Sequence, residues 1–217
     1  MKLYVYDHCP FCVRARMIFG LRGVPVEEIV LLNDDEATPI GLIGAKQVPI
    51  LQKPDGSHMG ESLDIVRFID EYAGQARLNE TVRPEAQAWF DKVGKYYNRL
   101  VMPREVRLEP PLPEFATQAA IDYFVHKKEQ NIGNFEQNLA DTPSYLERIH
   151  ADLAELAALL PEPYFNGTEP GMEDIILFPV LRNLTLVKGI AFPAKLQSYL
   201  GRMAAASKVP TYAERAI

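Results

Sequence analysis

The chain has 217 residues, of which 47% are hydrophobic and 24% are charged, and its formal net charge is −6. This size and composition support one large or two small domains with a buried core, and they argue against wholesale disorder. The acidic balance and the lack of a basic run argue against a nucleic-acid partner. The most apolar long segment, 175–190, contains two cations and an asparagine, so we expect no membrane-spanning helix.

The first part of the chain alternates between short apolar runs and helical patterns, which is typical of an α/β sheet. Gly23 is placed to end the first helix, and Ser62 is placed to act as the N-cap of the third. The predicted order of elements is β-α-β-α-β-β-α. The strands are expected at 2–6, 27–32, 48–51 and 57–59, and the helices at about 10–21, 36–43 and 62–72.

A polar segment without apolar periodicity follows at 74–83 and is predicted to link two domains. The first domain would then be the α/β unit at 1–73, and the second would be 84–217. The second part shows no convincing strand, so we expect it to be all-helical. Its helical patterns lie at 84–101, 118–131, 144–160, 172–187 and 194–206.

Cys9 and Cys12, in the run Cys-Pro-Phe-Cys, are the only cysteines of the chain. They lie where a predicted strand meets a predicted helix, which is the layout of a thiol–disulfide redox site. Free N–H groups at a helix N-terminus favour an anion such as a thiolate at Cys9, and Pro10 suits the first helical turn. A zinc site would need about four ligands, and no second cysteine or histidine pair exists. Two inert buried cysteines remain the alternative.

An unperturbed cysteine is only about 3% ionised at pH 7, so the nucleophile needs help from its surroundings. Lowering the pKa of Cys9 to about 5 requires nearly 5 kcal/mol, whereas a helix dipole contributes at most ~2 kcal/mol. We expect backbone N–H groups and the Cys12 thiol to supply much of the difference. Arg14 and Arg16 are expected on a solvated helix face, and His8 is expected to be a partly exposed loop residue.

A free dithiol and an opening strand without the apolar region of a signal peptide lead us to expect a cytoplasmic protein.

Three features together resemble a glutathione-dependent protein of the thioredoxin fold. They are the Cys-Pro-Phe-Cys motif in its β-α-β-α-β-β-α unit, the run Gln47-Val48-Pro49-Ile50 before a strand, and Glu61-Ser62 at the start of a helix. The helical second domain is similar to that of glutathione transferases. Both domains together resemble the bacterial glutaredoxin 2 proteins, which are two-domain glutaredoxins with a transferase-like body. The resemblance covers nearly the whole chain, and segments 1–12, 31–35 and 181–187 look especially close.

This resemblance implies a thioredoxin-like N-terminal domain and an all-α C-terminal domain in a glutathione-transferase-like architecture. It implies a glutathione-dependent thiol–disulfide oxidoreductase that reduces protein disulfides or glutathione mixed disulfides. Cys9 would be the nucleophile and Cys12 the resolving thiol. Glutathione would be a co-substrate, with no tightly bound cofactor and no metal, and the protein would be a monomer.

The resemblance also implies a glutathione site beside the cysteines. A cis Val48–Pro49 peptide would present the backbone of Val48 to the cysteinyl part of glutathione, in the manner of an added strand. Glu61 and Ser62 would hold the γ-glutamyl end, because a helix N-terminus and a hydroxyl suit its carboxylate. The expected glutathione-binding residues are Pro10, Phe11, Gln47, Val48, Pro49, Glu61 and Ser62, with Gln47 and the additional Lys46 as weaker candidates for the glycine carboxylate.

Two departures from the family pattern are visible. Glutaredoxins commonly carry tyrosine where this chain has Phe11, so no phenol hydroxyl acts there. Gly171 stands three residues before Asp174, where transferase-like domains often have Ser or Thr, so half of a reciprocal capping box is missing.

Two other functions remain open at this stage. A glutathione transferase acting on electrophiles would use the same fold, although the intact dithiol favours disulfide exchange. A non-enzymatic module that docks through its helical domain is the third possibility.

Overall fold

A four-stranded mixed sheet forms one side of the protein in the computed structural model, which describes all 217 residues. Its strands lie in the order β2-β1-β3-β4 and span Lys2–Val5 (β1), Glu27–Val30 (β2), Ile50–Gln52 (β3) and His58–Met59 (β4). β1 pairs in parallel with β2 and antiparallel with β3, so that Leu3 lies opposite both Glu28 and Leu51. β4 pairs antiparallel with β3.

Three helices complete this first unit, at Pro10–Arg22 (α1), Ala37–Ile43 (α2) and Ser62–Tyr72 (α3). The predicted order β-α-β-α-β-β-α is therefore confirmed, with strand ends shifted by one or two residues. Gly23 ends α1 with a φ of 65°, as the sequence predicts, because glycine adopts this left-handed conformation without a steric penalty. Ser62 is not the N-cap of α3, because it is already the first helical residue and Glu61 precedes it as the cap.

The remaining chain is helical, as the sequence predicts. The helices span Pro84–Gly94 (α4), Tyr97–Glu105 (α5), Gln118–Ile132 (α6), Phe135–Ala140 (α7), Thr142–Leu159 (α8), Met172–Leu184 (α9) and Ala194–Ser207 (α10), with 3₁₀ turns at Pro113–Phe115 and Ala213–Arg215.

The prediction of one continuous helix over 84–101 was wrong. The chain breaks between α4 and α5 at Tyr96, whose φ of −140° is not helical. The Tyr96 hydroxyl donates a 2.6 Å hydrogen bond to Asp152 of α8, so this tertiary contact accompanies the break. The six-residue helix α7 was missed because it is too short to show a periodic apolar pattern.

One hydrophobic cluster of 40 buried residues runs through both parts of the molecule. It includes Leu3 and Val13 from the first unit and Phe178 and Leu181 from α9, every residue of which is buried. α1 packs against α3 on one side and against α9 and α10 on the other. The helical part thus lies directly behind the helix that carries both cysteines.

The start of α9 replaces the missing half of its capping box with a residue from the preceding loop. The Asp174 carboxylate accepts from the Gly171 N–H at 2.9 Å, and Asn166 Oδ1 accepts from the Glu173 N–H at 2.8 Å. A Cβ at Gly171 would lie 2.5 Å from the side chain of Asn166, so the glycine leaves the space that this cap occupies. The helix end is therefore satisfied without a Ser or Thr.

Candidate active site

The two cysteines have unequal positions at the start of α1. Cys9 is the N-cap residue, with φ −72° and ψ 117°, and is partly exposed, whereas Cys12 is fully buried one turn later. Both are free thiols. The Tyr6 N–H donates to Cys12 Sγ at 3.4 Å, which holds the second sulfur against the end of β1. Only Cys9 is placed to meet a substrate.

The surroundings of the cysteines separate their acidities. A hydrogen bond from the Cys12 thiol, the imidazolium of His8, and the backbone N–H groups of Cys12 and Phe11 together outweigh burial and lower the pKa of Cys9 to about 6. Burial and the neighbouring Cys9 thiolate raise the pKa of Cys12 well above its ordinary value. At pH 7 the pair is therefore a thiolate at Cys9 beside a thiol at Cys12, which suits Cys9 as the attacking sulfur.

His8 is buried, so the expectation of a partly exposed loop residue was wrong. Its Nδ1 lies 2.6 Å from Glu114 Oε1, and its backbone N–H donates to the same oxygen at 2.9 Å. Its ring stacks on Phe115 at 5.1 Å between centroids. Burial alone would lower the pKa of His8, but Glu105 and Glu114 outweigh it and raise this pKa to about 9. His8 thus carries a positive charge directly before the nucleophile.

Helix α9 holds the residues that precede Cys9. The guanidinium of Arg182 donates to both carboxylate oxygens of Asp7, at 3.1 and 3.0 Å, and to the Asp7 carbonyl at 2.8 Å. Asn183 Nδ2 donates to the His8 carbonyl at 2.6 Å. Although burial raises the pKa of Asp7, Arg182 and Arg16 hold it well below its ordinary range. Arg182 and Asn183 therefore hold the backbone of the two residues that precede Cys9.

The residues expected to bind glutathione lie along two loops beside Cys9. The Val48–Pro49 peptide bond is cis, as the resemblance implies. Gln47 Nε2 donates to Glu61 Oε1 at 2.9 Å, which joins the loop before β3 to the start of α3. Glu61 has a φ of 59°, which is strained for a residue other than glycine, and such strain is concentrated at functional sites.

A cavity of about 600 Å³ opens at Cys9 between the first unit and the helical part. Among the expected site residues, those that line it are Cys9, Pro10, Phe11, Gln47 and Val48. Cys12, Pro49, Glu61 and Ser62 do not line it. Cys12 and Ser62 are buried, and Glu61 is exposed at the surface. The cavity therefore brings together the expected residues of α1 and of the loop before β3, and it does not include those at the start of α3.

Charged residues also line this cavity, and among them only Lys46 was named beforehand, as a weaker candidate for the glycine carboxylate. Arg14, expected on a solvated face, is buried and faces the cleft. Glu105 at the end of α5 is buried there as well, and burial, the largest influence, raises its pKa to about 7. Lys46 donates to Tyr6 Oη at 2.9 Å and to the Asn33 carbonyl at 2.9 Å. The burial of Arg14 and Glu105 depends on packing between distant parts of the chain, so no local pattern indicates it.

Two structural findings bear on other classes of protein. No group of three or more His, Cys, Asp or Glu side chains is arranged to hold a metal ion. None of the helices combines the length and apolar character needed to span a bilayer.

Two family models match the chain: "Glutaredoxin 2, C terminal domain" over residues 85–216 and "Glutathione S-transferase, N-terminal domain" over residues 3–77. Glutaredoxin 2 of Escherichia coli strain K12 is 46% identical over 217 residues, which is 100% of both chains. A crystal structure of glutaredoxin 2 from Salmonella typhimurium in complex with glutathione, also 46% identical, has a TM-score of 0.95 and covers 100% of this chain and 98% of that chain. Glutathione transferase Omega 3C from Trametes versicolor, at 19% identity, has a TM-score of 0.54 over 97% of this chain and 84% of its own, so it shares the fold alone.

A thioredoxin-like domain with a free dithiol, joined to a helical domain of the transferase type, defines a two-domain thiol–disulfide oxidoreductase. The full-length relatives narrow this class to one family. The chain belongs to the glutaredoxin 2 family, and it is a glutathione-dependent thiol–disulfide oxidoreductase. Of the functions that the sequence left open, the relatives support glutaredoxin activity over conjugation of glutathione to electrophiles.

Proposed function

We propose that Cys9 is the nucleophile of this glutaredoxin and that Cys12 is its resolving thiol. The observation that carries the proposal is the asymmetry of the pair, because Cys9 is partly exposed at the cavity with a pKa of about 6, whereas Cys12 is fully buried and protonated. A thiolate is the attacking species in disulfide exchange. Cys9 therefore combines access and ionisation, and Cys12 has neither.

The reaction with a glutathione mixed disulfide proceeds in two exchanges. The Cys9 thiolate attacks the glutathione sulfur, the substrate S–S bond breaks, and the other sulfur leaves with the electron pair and takes up a proton from water. A glutathione thiolate then attacks the glutathione sulfur on Cys9, so that glutathione disulfide leaves and the Cys9 thiolate is restored. This route uses Cys9 alone.

A protein disulfide follows a different second step. After Cys9 forms a mixed disulfide with the substrate, Cys12 loses its proton, attacks Cys9 Sγ and releases the reduced substrate. The Cys9–Cys12 disulfide is then reduced by two molecules of glutathione. Cys12 lies one helical turn away and donates a hydrogen bond to Cys9, which supports its role in this step.

We propose that glutathione, as co-substrate, lies along the loop before β3 and the start of α3. Val48 lines the cavity at Cys9, which supports pairing of its backbone with the cysteinyl part of the peptide. The first turn of α3 offers its free N–H groups to the γ-glutamyl carboxylate at Ser62, and Glu61 offers an anion to the amino group. Pro10, Phe11 and Gln47 would flank the bound peptide. The Salmonella relative, which was crystallised with glutathione, supports this ligand.

The remaining expectations are part of the same proposal. We place the dithiol domain at 1–73, the linker at 74–83 and the helical domain at 84–217, which the end of α3 at Tyr72 and the start of α4 at Pro84 support. The substrates would be disulfide-containing or glutathionylated proteins. A monomer suffices, because one chain supplies every site residue, and a dithiol that works with glutathione suits the cytoplasm.

The test is a coupled assay of glutathione-dependent reduction of a small mixed disulfide by the wild type, Cys9→Ser and Cys12→Ser. We expect Cys9→Ser to be inactive and Cys12→Ser to retain activity, because glutathione replaces Cys12 in that route. Retained turnover in Cys9→Ser would refute the assignment of the nucleophile. Wild-type protein that failed here but conjugated an electrophile would refute the function itself.

A further inference from the structure

Arg14 is a buried cation without a partner in the protein. It is only 7% exposed, it makes no hydrogen bond or ion pair, and its Nε is enclosed without an acceptor. Arg16, two residues later on the same helix, is paired with Asp7 at 2.6 Å and Glu28 at 3.0 Å. Buried charges in proteins are ordinarily paired, because their desolvation is costly. An anion that is not part of the chain would explain Arg14.

The surroundings of Arg14 form a subsite with a defined shape. Its guanidinium lies 4.9 Å from the ring centroid of Phe11 and 5.5 Å from that of Phe90 on α4, so two aromatic rings fix its position. All three side chains line the cavity that opens at Cys9. The N–H donors of a guanidinium match the two oxygens of a carboxylate.

The charge of the cavity also favours an anion. Its cationic lining residues are His8, Arg14, Lys46, Lys127 and Lys128, whereas its anionic ones are Glu105 and the Cys9 thiolate. Burial lowers the pKa of Arg14, and the nearby charge of Cys9 opposes this, but no hydrogen bond joins the guanidinium to the thiolate, whose hydrogen bonds come from the Cys12 thiol and from backbone N–H groups. Arg14 is therefore free to bind a ligand in the cleft.

We propose that Arg14, with Phe11 and Phe90, binds the carboxylate of the second thiol in the exchange reaction. This is the thiol that leaves when Cys9 attacks a glutathione mixed disulfide, or the glutathione that enters to release the enzyme. The inference rests on the proposed function of Cys9. The subsite is built from α1 and α4, whereas the glutathione bound to Cys9 is assigned to the loop before β3 and the start of α3.

The ligands of this subsite are small thiols and disulfides that carry a carboxylate, glutathione included. The guanidinium takes no part in electron transfer, because the S–S bond breaks toward the leaving sulfur and the proton comes from water. Arg14 is a positioning residue that aligns the leaving sulfur with Cys9. It therefore selects among disulfides by the charge of the leaving thiol.

Two mixed disulfides of glutathione test this, one with mercaptopropionate and one with mercaptoethanol, which lacks the carboxylate. For a double-displacement enzyme, kcat/KM for the disulfide reports only the first exchange. We expect Arg14→Met to lower kcat/KM about tenfold for the mercaptopropionate disulfide, because one charged hydrogen-bonded contact is lost. For the mercaptoethanol disulfide, kcat/KM should stay within about twofold of the wild-type value. Arg14→Lys keeps the charge and should restore part of the preference.

The matched control is Lys95→Met, which removes an exposed cation close to α4 that does not line the cavity. This substitution should leave kcat/KM unchanged for both disulfides. Equal effects of Lys95→Met and Arg14→Met on kcat/KM for the mercaptopropionate disulfide would overturn the proposal. An equal loss on both disulfides in Arg14→Met, with the pH profile of Cys9 alkylation shifted, would assign Arg14 to the thiolate instead and would also overturn it. Failure of the proposed function is a separate result, because it would show as turnover in Cys9→Ser.

Discussion

Replacing Cys12 by alanine removes the hydrogen bond that contributes most to the acidity of Cys9. The pKa of Cys9 is about 6, against 9.0 for an ordinary thiol. That difference corresponds to about 4 kcal/mol of preference for the thiolate, at about 1.4 kcal/mol per pKa unit. A hydrogen bond to a charged group contributes about 1.5–3 kcal/mol, so its loss should raise the pKa of Cys9 by about one to two units.

Cys12→Ser is the matched variant, because its hydroxyl can still donate to Cys9. Both variants contain a single thiol, so the rate of alkylation by iodoacetamide as a function of pH reports Cys9 alone. We expect a midpoint near 6 in Cys12→Ser and between about 7 and 8 in Cys12→Ala. Equal midpoints in the two variants would show that the Cys12 side chain does not stabilise the thiolate, and a midpoint near 8.5 in both would refute the ionised nucleophile.

Three further predictions concern His8 and Gly20. His8→Gln removes the imidazolium beside Cys9 and should raise the alkylation midpoint by about one unit. The pKa of His8 is about 9 in the folded protein and about 6.5 in the unfolded chain. Protonated His8 should therefore stabilise the folded state fully below pH 6.5, and this contribution should be lost by pH 9. Because the lowered pKa of Cys9 adds stability over the same pH range in both proteins, the readout is the difference in unfolding free energy between the wild type and His8→Gln, measured in urea. This difference should fall by about 3 kcal/mol between pH 6.5 and pH 9, and a difference independent of pH would contradict the prediction. Gly20→Ala should lower the free energy of unfolding by at least about 2 kcal/mol, because the new Cβ would lie 1.8 Å from the Ser207 carbonyl oxygen. Gly201 has open space around it, so Gly201→Ala should leave the free energy of unfolding unchanged or raise it. Equal unfolding midpoints for both glycine variants would refute the packing argument.

The helical domain supplies contact residues to the active site. Arg182 and Asn183 of α9 bind Asp7 and the carbonyl of His8, and Glu114 of the 3₁₀ turn at Pro113–Phe115 binds the imidazole. The segment between β1 and Cys9 is therefore held from behind by residues far along the chain. This arrangement places a positive charge on His8 at neutral pH, directly before Cys9, and leaves Cys9 open to the cleft.

The features that the sequence predicts well are local ones. The two cysteines, the helix that follows them and its end at Gly23 depend on neighbouring residues, so the pattern around them is sufficient. The break at Tyr96 could not be predicted in this way, because the side chain meets Asp152 across 56 residues. The mistaken N-cap at Ser62 has another cause, since the chain enters α3 through the positive φ of Glu61, which a capping rule based on residue type does not anticipate.

The electrostatics of the site depend on contacts that no local pattern records. His8 meets Glu114 across 106 residues, and Glu105 and Glu114 together outweigh burial and raise the pKa of His8 to about 9. Arg14 looks like an ordinary surface residue in sequence, and only the packing of Phe11 and Phe90 around it shows that it is enclosed. The sequence thus indicates the reactive cysteine and the help it receives from Cys12 and the backbone N–H groups, whereas only the structure indicates the roles of His8 and Arg182.

The most direct test of the central claim is to find which sulfur accepts glutathione. Cys12→Ser and Cys9→Ser, each with one thiol, are incubated with glutathione disulfide at pH 7, and their intact masses are followed with time. The account predicts that Cys12→Ser gains one glutathione rapidly and that Cys9→Ser gains none, because Cys12 is fully buried and its pKa is raised. Glutathione added to Cys9→Ser as fast as to Cys12→Ser would contradict the assignment of Cys9 as the nucleophile.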